Sequence, residues 1–168
     1  MTLAAHTIVG ASIANILPNH PVIGFVAGFT SHFLLDAIPH WDYSLLSSKE
    51  NSNNPMDRDM IINKYFIIDL LKIGIDISVG ILAVLFLFSN SNIDFSWAPF
   101  WGMIGAIMPD ALQFVYFKWR HEPLKSLQRF HIWVHGKNHN LSNYHNLRIS
   151  SQIIVVSFFV IISKLFFS

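Results

Sequence analysis

Five apolar segments, each cut off by a proline or a short polar stretch, leave this chain little choice of architecture. They run from Leu3 to Leu17, Val22 to Ile38, about Tyr65 to Phe88, Trp97 to Trp119 and Ile153 to Phe167. Pro18 stops the first, while Pro21 opens the second and Pro39 stops it; proline fixes φ and removes a backbone donor, so it suits helix boundaries. A membrane-crossing helix needs about 20 mainly apolar residues. The last three segments meet or approach that length, whereas the first two are shorter and carry polar groups. Composition agrees: 52 % of residues are hydrophobic and 12 % are charged, against about 25 % charged in ordinary soluble domains. The expected fold is therefore all-α, a membrane-embedded bundle of about five helices forming a single domain over residues 1–168. The Leu3–Leu17 stretch lacks a basic region before it and a small-x-small cleavage site, so it reads as a retained helix and not as a signal peptide.

Basic residues set the expected orientation, because cytoplasmic loops are enriched in Lys and Arg. Lys118 lies at the end of the fourth segment, and Arg120, Lys125, Arg129, Lys137 and Arg148 fall between it and the fifth; Lys49, Arg58 and Lys64 lie between the second and third. The turn SNSNID at 89–94 has neither residue type. Both basic stretches are expected inside, with the 89–96 turn outside, the N-terminus inside and the C-terminus outside. This is the arrangement of a multi-pass protein of the cell inner (cytoplasmic) membrane. Aromatic residues among the basic ones, Trp119, Phe130, Trp133 and Tyr144, suit the lipid headgroup region, so membrane lipid is an expected partner. A net charge of +1 offers no footprint for nucleic acid.

SHFLLDAIPHWD, residues 31–42, sits at the edge of an apolar run yet holds His32, Asp36, His40 and Asp42. A charge at membrane depth costs a few kcal/mol even on lenient insertion scales, so it faces a cavity and finds a partner. His32 and Asp36 are four apart, which puts them on one helix face, and His131 and His135 repeat that spacing if FHIWVHGKNH is helical. In the expected topology His6, His32, Asp36, Asp110, His131 and His135 all fall toward the cytoplasmic side. The chain has nine His and no Cys, so a transition-metal site must use imidazole and carboxylate. These six residues are the candidate metal ligands. Zn²⁺ is the divalent cation expected from such donors, with Mn²⁺ and Fe²⁺ as alternatives. Asp42 or His40 is the candidate proton acceptor; both could instead orient or ligate the metal. Arg120, Lys125 and Arg129 are candidates for holding a substrate phosphate. Asp69, Lys72 and Asp76 read as a self-neutralising charge cluster within one helix, with Asp69 alternatively joining the site. His20 belongs to the outer turn, and His121, His139 and His145 read as surface groups.

Three pieces of the chain together resemble a known family: His6 in LAAHTIVG, Gly28 to Asp36 in GFTSHFLLD, and Gly105 to Asp110 in GAIMPD. The resemblance is to the membrane-bound metal-dependent hydrolases, inner-membrane proteins related to the LexA-regulated hydrolase. It covers about a third of the chain in short pieces. In that family the PD motif usually precedes the His-x-x-x-Asp helix and reads PD-x-D; here it follows and reads PDAL. The His-x-x-x-Asp pair is also similar, more weakly, to part of the zinc site of the all-helical zinc-dependent phospholipases C. The resemblance implies a hydrolase. Combined with the depth of the cluster, it leads to the expectation of a phospholipid or other amphiphilic phosphoester as substrate. The alternative is a non-enzymatic membrane protein, either a metal or proton transporter or a scaffold whose polar pairs only fix packing.

Overall fold

The computed structural model describes residues 1–17, 20–50, 54–88, 97–136 and 144–166. Among these, the chain forms six α-helices: α1 (Leu3–Asn15), α2 (Pro21–Asp36), α3 (Lys64–Phe88), α4 (Ala98–Lys118), α5 (Leu124–Gly136) and α6 (His145–Phe166). The only strands described are the two-residue pair β1 (Ser48–Lys49) and β2 (Asp59–Met60), antiparallel with Ser48 opposite Met60. Five of the helices fall on the five apolar segments. The sixth, α5, is the stretch whose helicity the His131/His135 spacing presupposed. Lys137, His139 and the 89–96 turn lie outside the described residues.

The centre of the molecule is the packing of α1, α2 and α4 on one another. Small residues make it tight. A Cβ on Gly28 would stand 2.2 Å from the Gly102 carbonyl oxygen, and one on Gly105 would stand 2.1 Å from that of Phe25. Backbones approach this closely only where side chains are absent, the usual device of helices that associate in lipid. The crossing brings the C-terminal turns of α2 against the middle of α4 and the start of α1.

Helices α3 and α6 lean on α1. Asp76 of α3 accepts from the Leu3 and Ala4 N–H groups at 2.7 and 3.2 Å, satisfying donors that the first turn of α1 leaves open. From α6, Gln152 donates to Thr2 Oγ1 at 2.9 Å, and Asn15 donates to Ser163 Oγ at 3.1 Å. Outward, both helices are apolar: Ile67, Leu71, Ile75, Leu82 and Phe86 of α3, and Ile154, Phe158, Ile161 and Leu165 of α6, are exposed. These are the two helices long and apolar enough to cross a membrane; α1 and α2 are shorter apolar helices, and α4 is not in either group.

The loop between α2 and α3 is held on both sides. Asp69 of α3 accepts from Leu46 N, Ser47 N and Ser47 Oγ at 3.1, 2.7 and 2.7 Å. At the end of α4, Lys118 donates to Asp59 and to the Met60 carbonyl, and Arg120 donates to the Met56 and Arg58 carbonyls. The Asp69–Lys72 pair exists at 3.5 Å, but charge neutralisation within α3 is the lesser part of what Asp69 and Asp76 do. Their main partners are backbone N–H groups of other elements, and Asp69 caps the loop instead of joining the His cluster.

Candidate metal centre

His32 and Asp36 occupy successive turns at the C-terminal end of α2, and His131 and His135 do the same on α5. Both pairs therefore point their side chains along one face. Helix α5 has a narrow buried stripe of Leu124, Gln128, His131 and Val134, and it seats that stripe on α4 and α2. The ring of Phe33 packs edge-on against Phe130 at 4.9 Å and His131 at 5.5 Å. The His6 ring stacks on that of His32 at 4.1 Å between centroids. Asp110 comes from the middle of α4, one residue past the in-helix Pro109.

Asp36 is the hub, with 1 % of its side chain exposed. Its Oδ1 lies 3.1 Å from His6 Nε2 and 3.9 Å from His40 Nε2. Its Oδ2 lies 3.0 Å from His32 Nε2, 3.2 Å from His131 Nε2 and 3.0 Å from His135 Nε2. Asp110 Oδ1 stands 3.6 Å from His32 Nε2 and 3.7 Å from His131 Nε2. The structure thus brings together all six residues that sequence spacing and depth single out as metal ligands. His40 approaches the same carboxylate. The Met1 ammonium donates to Asp36 Oδ1 at 3.0 Å and lies 3.8 Å from Asp42 Oδ2, which places Asp42 at the rim.

Tautomers decide what the cluster can hold. His32 Nδ1 lies 2.7 Å from the Ala106 carbonyl oxygen. A carbonyl only accepts, so Nδ1 carries the hydrogen and Nε2 of the neutral ring carries a lone pair. That lone pair faces Asp36 Oδ2, His131 Nε2 at 3.3 Å, and Asp110 Oδ1. A proton on Nε2 would serve one of the carboxylates, with His131 Nε2 a donor or an acceptor according to its tautomer. A cation among them serves all, and ligating imidazoles usually donate their other N–H to a carbonyl in this manner. His40 repeats the pattern, with Nδ1 2.8 Å from the Ile38 carbonyl. Burial holds the His40 imidazole down at about 4, so near neutral pH its Nε2 is a free donor atom. His6 Nδ1 is buried without a hydrogen-bond partner.

Three overlapping groups have ligand atoms all within 4.8 Å of one another: His6, His32, Asp36; His32, Asp110, His131; and Asp36, His40, His135. Metal–donor bonds of about 2.0–2.2 Å put ligand atoms roughly 3–4 Å apart around one ion, so these residues can hold a metal ion. The centre is closed on the side of His6 and His32, both fully buried. It is open toward His135 and Asp110, whose side chains are 41 % and 35 % exposed.

The phosphate-holding candidates stand apart from this hub. The Arg120 guanidinium is taken up by the α2–α3 loop, including Asp57 at 3.4 Å. Lys125 and Arg129 lie on α5 away from its buried stripe. Two positioning residues had no sequence signal. Arg148 and Ser151 of α6 donate to the His40 and Pro39 carbonyls, fixing the turn that carries His40; Arg148 reads in the sequence as one more basic loop residue. Compared with protein-family models, with curated proteins and with solved structures, the chain has no match.

Proposed function

We propose that the protein is a membrane-embedded, metal-dependent hydrolase of the cytoplasmic membrane, acting on a phospholipid or another amphiphilic phosphoester at the cytoplasmic headgroup level. One observation carries the reading: imidazole Nε2 atoms from α1, α2 and α5 converge on the single buried carboxylate of Asp36, with the His32 lone pair directed inward by the Ala106 carbonyl. The resemblance to the membrane-bound metal-dependent hydrolases supports the same class.

His6, His32, Asp36, Asp110, His131 and His135 would hold the metal, with Zn²⁺ the first choice for imidazole plus carboxylate donors. A bound divalent cation supplies Lewis acidity, polarising a phosphoryl oxygen and making water a nucleophile near neutral pH. The chain's own residues do the rest. Asp42, at the solvent-facing rim, accepts the proton that water gives up. Substrate enters on the side of Asp110 and His135, the exposed edge of the centre.

Depth and surroundings support an amphiphile. A groove of about 350 Å³ lined by Trp41, His145, Ile149, Gln152 and Ile153 starts at the residue between His40 and Asp42. The exposed apolar faces of α3 and α6 support insertion in a bilayer, since a solvated protein rarely presents such large contiguous patches. The test is hydrolysis of a short-chain phospholipid by protein in lipid vesicles, before and after chelation. Activity abolished by chelator and restored by Zn²⁺ is the expected result. Bound metal with no turnover of phosphoesters would favour a non-enzymatic metal-binding role, and absence of bound metal would favour a scaffold.

A further inference from the structure

The proposed hydrolase site offers more donors than one ion can use, and they divide. We infer that the cluster is built for two divalent cations bridged by the Asp36 carboxylate. Two of the three ligand groups, His32–Asp110–His131 and Asp36–His40–His135, have no residue in common. Asp36 joins them, because its Oδ2 also lies 3.0 Å from His32 Nε2 and 3.2 Å from His131 Nε2. Its Oδ1 faces His6 and His40, while His135 of the second group also reaches Oδ2, at 3.0 Å. A carboxylate whose oxygens look at different imidazoles is the usual bridge between neighbouring ions.

The donor count points the same way. Five imidazole nitrogens and two carboxylates converge here. A single tetrahedral zinc takes about four ligands, and a catalytic one keeps a position open for the reactant. One ion would leave several imidazole nitrogens of the cluster without a metal bond. Two ions use six of the seven residues, with His6 beside the Asp36 and His32 that the two halves contribute, and keep open positions. Each group also contains one imidazole whose Nδ1–H is fixed by a carbonyl: His32 on Ala106 in the first, His40 on Ile38 in the second. Inward-facing Nε2 atoms are therefore set up independently in both halves. His40, which the sequence singles out as a proton acceptor, becomes a ligand of the second ion.

The inference rests on the metal-hydrolase reading and narrows its substrate. Paired ions about 3.5–4 Å apart suit the attacking and leaving oxygens of an in-line displacement at phosphorus. Two divalent cations also outweigh the charge of Asp36, Asp110 and the nearby Asp42, leaving room for an anionic phosphodiester. A neutral carboxylic ester makes no use of that surplus.

The probe is Mn²⁺, loaded into the full chain purified in detergent, with metal per chain measured by elemental analysis and coupling by electron paramagnetic resonance. Two ions per chain with an exchange-coupled spectrum are expected. His135→Ala, at the exposed edge where folding is least at risk, should reduce this to one ion with the six-line signal of isolated Mn²⁺. One ion per wild-type chain, uncoupled, overturns the two-ion inference and leaves the metal-hydrolase reading intact. Two ions without coupling overturn the Asp36 bridge. No ion at all overturns both readings.

Discussion

At the scale of single residues, Asp36 and Asp69 show how similar carboxylates acquire different work. Asp36 is surrounded by imidazole nitrogens, and an amide in its place is a much poorer ligand for a divalent cation. Asp36→Asn is expected to lower metal affinity by at least about tenfold, the loss that even outer ligand partners cause, while the protein still inserts. His32→Ala should do the same. Metal per purified chain is the measurement, and equal metal in wild type and both variants would mean that the cluster is a packing device. Asp69 instead accepts three hydrogen bonds from Leu46 and Ser47. Asp69→Ala strands buried donors, at about 1–3 kcal/mol, and should speed proteolysis in the 44–60 loop with metal content unchanged; an unaltered cleavage rate would remove the clamp assigned to it. The clustering of the candidate ligands was legible because His32/Asp36 and His131/His135 have a spacing that any helix turns into a shared face. The role of Asp69 was not, because its partners are backbone N–H groups 22 or more residues away, and a backbone donor leaves no mark in a sequence.

Among the elements, the crossing of α1, α2 and α4 decides where the donors meet. A Cβ at Gly105 would collide with the backbone of Phe25, whereas one at Gly74 meets nothing within 4 Å. Gly105→Val is therefore expected to push α4 off α2, lowering thermal stability and loosening Asp110 from His32. Gly74→Ala should be neutral or slightly stabilising, by up to about 1 kcal/mol from helix propensity. Thermal unfolding of the two variants beside wild type distinguishes them; equal effects would show that close approach at Gly105 does not matter. Apolar runs bounded by proline announced α1 and α2, and length announced α3, α4 and α6. Helix α5 was read through its paired histidines, since its buried stripe of Leu124, Gln128, His131 and Val134 is narrow. The loop clamp by Lys118 and Arg120 was hidden for another reason: long basic side chains near a span read equally well as lipid anchors, and only coordinates show which carbonyls they reach.

For the whole molecule, orientation is the open physical consequence of charge placement. The chain has no cysteine, so single cysteines introduced at Ser52 and Ser91, both outside the described residues, report sidedness cleanly. Ser52 should label from the cytoplasmic side and Ser91 from the other; labelling of both from one side would overturn the orientation expected from the basic loops. A different consequence follows from the reach of the cluster. Its donors run from His6 to His135, so no nascent chain short of α5 contains the complete set. His32 and Asp36 must enter their environment during synthesis with only part of their final company, and the last two imidazoles arrive after four helices have been made. Maturation of the centre is thus a closing event in the protein's biogenesis, and a chain truncated before α5 would carry the hub of the site without the residues that complete it.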